Sequence, residues 1–431
     1  MDIRENNQQL SFAGALNADD IAWLKQQGYQ RVINNRPEDE EQSPLSHQQE
    51  RALVRQSGME YVSLPFNWDS LTLDDVFAFH HLLRQDKKTL AHCRSGARSA
   101  SLFLLYELHT GQIDEGRFRQ RCQQTGGDAE RALAWYGGIG KTEAQAEVHP
   151  FYEPESGSLQ YVIADAAARR CAIIDPVLDF DRNSASVSYQ QAQRILDFIA
   201  QRQWRVSWVL DTHPHADHFS AAAWLARQTG ALKGIGEKVT EVQALWQKLY
   251  HLSDIPEPHT LWDALFSDGD PFYVGNLRAE VLLSPGHTLA SVTYHIADCA
   301  FIHDTLFMPD SGTARTDFPG GSAAALWQSV QRILQLPQHT RLFTGHDYRP
   351  GGREMQCEST LSQQLSSNPW LAGQNEASFI ARREQRDATL PLPDLMLMAL
   401  QINIRGGELP DPEADGERYL KIPLNRFRRE A

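Results

Sequence analysis

Apolar and polar residues alternate along the first part of the chain in a way that predicts strands and helices in turn. Short apolar runs that end at turn residues are typical of strands, and apolar residues three or four positions apart are typical of helices. These patterns predict strand, helix, strand, helix and strand at 31–35, 46–57, 60–65, 72–83 and 88–92. Repeated strand–helix units favour a mostly parallel sheet with helices on both faces, so residues 1–140 are expected to form an α/β domain.

The pattern from residue 148 onwards is richer in strands. Short apolar runs predict strands at 160–164, 171–175, 206–211, 280–283, 291–296, 300–303 and 341–344. Two amphipathic segments, 189–204 and 322–336, predict long helices between them. This order favours two sheets sandwiched between helices, an αββα arrangement, over residues 148–400.

Two segments outside these domains are predicted to be a connector and a tail. Residues 141–147 are polar and follow a run of glycines, which is typical of a linker. Residues 401–431 contain Gly406, Gly407 and several prolines within an acidic stretch, so they are expected to form an exposed tail.

Composition and charge narrow the class of protein. Of 431 residues, 41% are hydrophobic and 22% charged, as in ordinary globular proteins. The net charge of −14 argues against a nucleic-acid partner, because phosphates would be repelled. No apolar run approaches the roughly 20 residues that span a bilayer, and the first residues lack the features of a secretory signal. No membrane partner is therefore expected. The five cysteines are scattered rather than arranged as a disulfide framework, so a cytoplasmic protein is expected.

A dense cluster of potential metal ligands follows the predicted strand 206–211. The cluster consists of His213, His215, Asp217 and His218. A helix is expected from Phe219 onwards, so these side chains would lie on a strand-to-helix turn, where they can converge on one ion. Imidazole and carboxylate together suit zinc, iron or manganese, so a metal site is predicted here.

Three later segments supply further candidate ligands. His287, Asp304 and His346 each follow a predicted strand. Because strand ends can present side chains to one cavity, these residues are expected to join the cluster. His303 is expected to point to the opposite face of its strand and to have a structural role.

A second candidate for chemistry follows the predicted strand 88–92. Cys93 begins a short loop, and an apolar helix is predicted from Ala100 onwards. A strand, a glycine-containing loop and a helix N-terminus form an anion site, because unpaired backbone N–H groups point into the loop. Cys93 is therefore predicted to be reactive, with Arg98 stabilising an anion. The other predicted members of the anion loop are Arg94, Ser95, Gly96, Ala97 and Ser99.

The cysteine loop resembles two known families. Its sequence, His-Cys…Arg-Ser, and the order of elements over 10–115 are similar to protein tyrosine phosphatases. Those enzymes place five residues between the cysteine and the arginine, whereas four separate Cys93 from Arg98. The shorter loop is similar to rhodanese-type sulfurtransferases, whose cysteine carries a persulfide. The resemblance therefore implies a tyrosine-phosphatase-like fold and favours sulfur transfer over phosphate ester cleavage.

The second domain resembles the metallo-β-lactamase superfamily over roughly 148–400. Within that superfamily, the segments 285–288, 312–318 and 345–348 are most similar to the persulfide dioxygenases. The pairing with a phosphatase-like first domain resembles the bacterial two-domain β-lactamase hydrolase-like proteins.

This resemblance implies roles for the candidate ligands. It implies one Fe(II) per chain bound by His213, His287 and Asp304, a 2-His-1-carboxylate set with open positions. It implies substrate binding by Arg315 and Tyr348. The remaining candidates would orient the ligands or hold a second metal ion, and they are His215, Asp217, His218 and His346.

The resemblance also implies an activity in sulfur metabolism. The second domain is expected to oxidise glutathione persulfide, or another small persulfide, with O2 to sulfite and the free thiol. The first domain is expected to transfer sulfane sulfur from a sulfur donor through Cys93. The alternative is a glyoxalase-II-like or lactonase-like hydrolase with two Zn(II), joined to a phosphatase-like or non-catalytic docking domain. The sequence leaves open whether the chain forms a homo-oligomer.

Overall fold

The computed structural model describes residues 2–40, 43–84, 86–139 and 146–427. The chain divides into two compact units, Met1–Ala144 and Gln145–Ala431. Most of the predicted linker, 141–145, lies outside the described residues. Its last two residues, Ala146 and Glu147, belong to the first strand of the second unit rather than to a connector.

The first unit contains five strands and six helices within its described residues. The strands are β1 (Ile3–Glu5), β2 (Leu10–Ala13), β3 (Arg31–Asn34), β4 (Glu60–Ser63) and β5 (Thr89–His92). The helices are α1 (Ala18–Gln26), α2 (His47–Gln56), α3 (Leu73–Leu83), α4 (Ala97–His109), α5 (Glu115–Thr125) and α6 (Ala129–Tyr136).

The sheet of the first unit places β5 at its centre. The strand order is β1-β2-β5-β3-β4, and only β1 pairs antiparallel among these strands. In a buried hydrophobic cluster of this unit, Val32 and Leu90 of the sheet pack with Ile21 of α1 and Val54 of α2. The parallel sheet predicted for this domain is therefore present, and the central strand leads directly into the cysteine loop.

The second unit has fifteen strands, eight α-helices and one short 3-10 helix, Pro350–Gly352, within its described residues. The strands are β6 (Ala146–Glu153), β7 (Ser158–Asp165), β8 (Arg170–Ile174), β9 (Val177–Asp181), β10 (Ser186–Ser188), β11 (Arg205–Leu210), β12 (Phe219–Ser220), β13 (Leu232–Gly236), β14 (Ala264–Phe266), β15 (Pro271–Val274), β16 (Leu277–Leu283), β17 (Val292–Ile296), β18 (Cys299–His303), β19 (Arg341–Thr344) and β20 (Glu358–Thr360). The helices are α7 (Gln190–Gln201), α8 (Ala222–Thr229), α9 (Val239–Tyr250), α10 (Pro258–Leu261), α11 (Ala323–Ile333), α12 (Leu361–Ser367), α13 (Glu376–Asp387) and α14 (Met396–Asn403).

Two six-stranded sheets face each other in the second unit. Their orders are β14-β13-β11-β8-β7-β6 and β15-β16-β17-β18-β19-β20. Aromatic side chains fill the space between them, with ring centroids 5.8 Å apart for Trp208 and Phe272 and 5.2 Å apart for Tyr161 and Phe301.

Helices cover the outer face of each sheet. Ile195 of α7 and Leu225 of α8 cluster with the first sheet, and Leu326 of α11 and Phe379 of α13 cluster with the second. This is the αββα arrangement that the strand-rich pattern predicts.

Three local predictions are wrong. Phe219–Ser220 form strand β12, which pairs with β9, so the helix begins only at Ala222. Helix α4 begins at Ala97 rather than Ala100, because Gly96 adopts the left-handed conformation that ends the loop. Residues 401–407 are buried rather than part of an exposed tail. Within the described residues, no helix has the length and apolar composition needed to cross a bilayer.

Candidate metal centre and cysteine loop

The candidate ligands of the second unit converge from both sheets. The segment 213–218 follows β11 of the first sheet, while His287, Asp304 and His346 follow β16, β18 and β19 of the second. All seven ligand candidates are buried except Asp217, which is partly exposed. The placement arises because these strands end at the same edge of the sandwich.

One group of donor atoms is formed by His213, His287 and Asp304, whose atoms lie within 4.8 Å of one another. Oδ2 of Asp304 is 3.9 Å from Nε2 of His213 and 3.6 Å from Nε2 of His287. The structure therefore brings the predicted iron ligands together.

The hydrogen bonds of this group fit a divalent metal ion. Nε2 of His213 and Oδ1 of Asp304 are buried and have no hydrogen-bond partner among the described residues, which costs free energy unless another group satisfies them. Nδ1 of His287 lies 2.8 Å from the carbonyl oxygen of Arg315 and donates to it, which leaves Nε2 free to bind a metal. Two imidazoles and a carboxylate suit Fe(II) or Zn(II).

The remaining candidate ligands form two adjoining groups. One contains His215, Asp217 and His218, and the other contains Asp217, Asp304 and His346. Nε2 of His346 is 3.4 Å from Oδ2 of both Asp217 and Asp304. These distances are compatible with a second metal ion, so the geometry accommodates either one ion or two.

The electrostatics of the centre keep Asp304 ionised and favour positive charge at His346, while they disfavour it at His213. Burial lowers the pKa of His213 well below its usual value, and the imidazoles of His215 and His287 lower it further. Burial raises the pKa of Asp304, but His346 and His287 outweigh burial, so that pKa lies below its usual range. Burial lowers the pKa of His346, whereas Asp304 and Asp217 raise it to about 10. A metal ion would supply the same positive charge.

Asp175 holds the ligand loop, which comprises residues 212–218, and the sequence analysis did not predict this role. Its carboxylate accepts hydrogen bonds from the backbone amide of Thr212 at 2.7 Å and from its hydroxyl at 2.8 Å. It also lies 3.0 Å from Nε2 of His215. The available signal was an acidic residue at the end of the predicted strand 171–175, next to the strand that leads into the ligands.

His303 lies nearer the centre than predicted. Its ring centroid is 5.1 Å from that of His213, and its backbone has a φ of 37°. This left-handed backbone breaks the alternation of a regular strand, so the prediction that His303 points to the opposite face is wrong.

Arg315 and Tyr348 differ in their exposure and partners. The guanidinium of Arg315 donates to both carboxylate oxygens of Asp317, at 2.7 and 2.8 Å. Tyr348 is 58% exposed, and its ring stacks on that of His346 with centroids 5.5 Å apart. Tyr348 therefore lies on the solvent side of the centre, while a substrate carboxylate at Arg315 has to share the guanidinium with Asp317.

A cleft of about 900 Å3 opens beside Asp217 and His218. Its lining includes further acidic residues, among them Glu155, Asp179 and Asp181. Because carboxylates dominate its charged lining, this wall favours a positively charged part of a ligand.

The cysteine loop of the first unit wraps its own sulfur. Cys93 is only 1% exposed, and the backbone amide of Gly96 donates to its sulfur at 3.1 Å. Gly96 has a φ of 87°, and a Cβ there would lie 3.1 Å from the carbonyl oxygen of Ala13, so glycine is needed. Ala97 then begins α4, whose N-terminal amides face the loop.

The other predicted loop residues have different surroundings. Arg94 and Ser95 are exposed, whereas the Ser99 hydroxyl donates to Asn35 at 2.8 Å. Arg98 forms an ion pair with Glu40 and donates to the carbonyl oxygen of Phe66 at 3.3 Å. An anion that binds Arg98 therefore competes with Glu40.

A buried network supports the strand that precedes Cys93. Glu50 lies 2.7 Å from Nε2 of His92 and accepts from Arg36 at 2.9 Å. All three side chains are almost fully buried. Sequence reasoning missed Glu50, because it lies in α2, 42 residues before His92.

Two families match the two parts of the chain. Residues 2–108 match the beta-lactamase hydrolase-like protein, phosphatase-like domain, and residues 154–346 match the metallo-beta-lactamase superfamily. The predicted fold class of both domains is thereby confirmed. The first match is with a phosphatase-like family, so the rhodanese-type assignment stays a prediction.

The second unit is similar to a solved structure and to two proteins whose names indicate different functions. It is 41% identical over 285 residues to glyoxylase B2 of Dictyostelium discoideum, covering 65% of this chain and 98% of that one. It is 28% identical over 282 residues to the mitochondrial persulfide dioxygenase ETHE1 of Homo sapiens, covering 65% and 94%. The crystal structure of ETHE1 from Myxococcus xanthus matches with a TM-score of 0.50 and 29% identity, covering 61% of this chain and all of that one.

One likeness extends over the whole chain. The beta-lactamase hydrolase-like protein of Xylella fastidiosa (strain Temecula1 / ATCC 700964) is 48% identical over 428 residues, covering 99% of this chain and 98% of that one. Together with the two matched domains, this likeness shows that the chain belongs to the family of beta-lactamase hydrolase-like proteins.

Proposed function

We propose that the second unit is an iron-dependent dioxygenase that oxidises a low-molecular-weight persulfide, with glutathione persulfide as the expected substrate. One Fe(II) would be held by His213, His287 and Asp304. One persulfide, one O2 and one water give one thiol and one sulfurous acid, which ionises to sulfite, so that atoms and charges balance.

The observation that carries this proposal is the group of two imidazoles and one carboxylate within 4.8 Å of one another. A 2-His-1-carboxylate set with open positions is typical of non-haem Fe(II) oxygenases. The 28% identity to a persulfide dioxygenase, over 282 residues of the same domain, supports the choice of substrate.

The chain's own residues would prepare the reaction. An Fe(II) held by these three residues would supply open coordination positions for the reaction between O2 and the persulfide sulfur. The carbonyl of Arg315 orients the His287 ring, and Asp175 orients Thr212 and thus the backbone that leads to His213. Burial of the three ligand side chains limits the access of bulk water to their donor atoms.

Charged groups around the centre suit glutathione. Its ammonium group would lie against the acidic wall of the cleft at Asp179 and Asp181. One of its carboxylates would bind Arg315 in competition with Asp317, whose carboxylate oxygens accept from the same guanidinium at 2.7 and 2.8 Å.

The first unit would carry sulfane sulfur on Cys93. The Cys93 thiolate attacks the outer sulfur of the donor, a new S–S bond forms, and the rest of the donor leaves as a thiolate or an anion. An acceptor thiolate then takes that sulfur and releases the Cys93 thiolate. The Gly96 amide, which already donates to the sulfur at 3.1 Å, supports this role by stabilising negative charge there.

The second candidate is a hydrolase with two Zn(II) ions, acting on a thioester or lactone. The group of Asp217, Asp304 and His346 favours it, since these residues could hold a second ion. The 41% identity to glyoxylase B2 also favours it. In this alternative the first unit would be a phosphatase or a docking module, in line with its phosphatase-like family.

Metal content and oxygen uptake separate the candidates. Protein purified without oxygen should contain close to one iron per chain and consume O2 when glutathione persulfide is added. Asp304→Ala should lose both the iron and the uptake. Asp165→Ala is the matched control, because Asp165 is also buried in the same unit but accepts from the backbone amides of Ala168 and Asn276. Two zinc ions per chain, thioester hydrolysis and no persulfide-dependent uptake would refute the proposal.

A further inference from the structure

The side chain of Asn403, the last residue of α14, forms hydrogen bonds with backbone groups in and next to the ligand loop. Its Nδ2 donates to the carbonyl oxygen of His215 at 2.8 Å and to that of His218 at 2.8 Å. Its Oδ1 accepts from the backbone amide of Ser220 at 2.8 Å. Asn403 is 3% exposed, so water cannot readily replace it in these contacts.

These contacts serve a segment that has little hydrogen bonding of its own. The residues between β11 and β12 form no helix or strand, so their backbone groups depend on partners from elsewhere. A primary amide offers two donors and an acceptor, and here one side chain satisfies two carbonyls and one amide. Aspartate would lack the two donors, and alanine would leave both carbonyls without these partners.

The backbone that follows α14 is held by hydrogen bonds from two other elements. Gln243 donates to the carbonyl oxygen of Ile404 at 2.9 Å, and Lys233 donates to that of Gly406 at 3.3 Å. Gly407 has a φ of 81°, and a Cβ there would lie 2.7 Å from the carbonyl oxygen of Ser220. The chain therefore approaches the loop so closely that Asn403 has little freedom to move away.

We propose that Asn403 is a positioning residue of the metal centre, which fixes the backbone at His215 and His218 and so aligns the ligand loop for the ion. The proposal rests on the metal-centre part of the proposed function. It is independent of whether the ion is iron or zinc and of which substrate is oxidised or hydrolysed.

Co(II), whose visible absorption reports ligand geometry, is the probe for the test. Asn403→Ala and Asn403→Asp are compared with the full-length wild type for Co(II) affinity, by competition with a chelator, and for the absorption spectrum. Loss of such a supporting partner typically weakens metal binding by about 10- to 100-fold. Both variants should show a loss of this size and a changed spectrum, since both lack the two donors.

Gln401→Ala is the matched control. Gln401 lies in the same helix and is 2% exposed, and its amide donates to Leu397 and Lys421 at 2.7 and 2.8 Å. This variant should lower the melting temperature of the metal-free chain as Asn403→Ala does, yet bind Co(II) like the wild type.

The outcomes separate the proposals. If either folded Asn403 variant keeps wild-type Co(II) affinity and spectrum, or if Gln401→Ala shows the same loss, the positioning role is refuted. A wild-type chain that binds no Co(II) overturns the metal centre and this role with it. Normal Co(II) binding by the wild type, with the expected loss in both Asn403 variants, supports this role even when persulfide oxidation by the iron-loaded protein is absent.

Discussion

Gly345→Ala tests the metal centre by displacing a ligand without removing it. A Cβ at this position would lie 2.7 Å from Oδ1 of Asp304 and 3.1 Å from the backbone carbonyl carbon of His303. The backbone of Gly345 is not left-handed, so alanine is not strained by its own conformation. The substitution therefore acts mainly through contact with the carboxylate.

The size of the displacement follows from these distances. Ordinary contact begins at 3.4 Å and the new contact would be 2.7 Å, so Oδ1 has to move by 0.7 Å. Metal–ligand distances are held to about 0.2 Å, and the displacement exceeds that tolerance. We expect metal binding to weaken by about 10- to 100-fold, as it does when a ligand is misoriented. The backbone contact is overpacked, which should lower the free energy of unfolding by about 1–3 kcal/mol.

Gly230→Ala is the control for the loss of stability. Gly230 ends α8 with a φ of 72°, and a Cβ there would meet nothing within 4 Å. Alanine in that conformation costs roughly 1 kcal/mol but should leave the metal centre intact. The assay is metal affinity by chelator competition, with the melting temperature of the metal-free chain measured in parallel. Equal affinities for the two variants would show that Asp304 does not bind the ion.

Three further variants test the substrate groups. Arg315→Ala should keep the metal, because the backbone carbonyl that holds His287 remains. It should raise KM for glutathione persulfide about 10- to 100-fold, because a charged hydrogen bond is lost. Loss of the metal in this variant would show a structural role for Arg315 instead. Cys93→Ser should abolish an adduct of about 32 Da, the mass of one sulfur, seen by intact mass spectrometry after a sulfur donor is added, and leave oxygen uptake on supplied persulfide unchanged. If that variant still transfers sulfur, the first unit is a binding module, and loss of a wild-type aryl phosphatase activity would favour the phosphatase. Glu40→Gln should release Arg98 from its ion pair and tighten binding of an anionic sulfane-sulfur donor, measured by calorimetry; unchanged affinity would exclude Arg98 from the anion site.

The sequence predicts the ligand loops well because each lies within a few residues of a strand end. His213 follows Leu210, and His346 follows Thr344, so a correct strand boundary also places the ligand. The same local reasoning places Gly96 and the start of a helix beside Cys93, although the helix begins three residues earlier than predicted.

Contacts between distant segments could not be predicted in this way. Asn403 lies 185 residues after His218, the residue whose carbonyl it holds. The residues that follow it, 406–417, are acidic and rich in glycine and proline, which is typical of an exposed tail. Here the left-handed glycines instead allow close packing against Ser220. Burial of this segment depends on tertiary packing, which local composition does not predict.

The backbone conformation of His303 illustrates a second limit. Strand alternation places adjacent residues on opposite faces, and by that rule His303 and Asp304 diverge. The register between β18 and β19 shifts between Phe301 and His303, and the left-handed φ of His303 follows. A one-residue irregularity therefore brings both side chains toward the same centre.

The sequence separation of 185 residues between His218 and Asn403 sets the order in which the parts of the metal centre are synthesised. At the usual rate of translation, about 5–20 residues per second, the 185 residues between them take about 10 to 40 seconds to make. Early in that interval the nascent chain offers His213, His215 and His218 to an ion, while His287, Asp304 and His346 follow later and Asn403 comes last. An ion captured early would therefore be held loosely and could still exchange, and selection of the final metal would be completed only after the last helix docks.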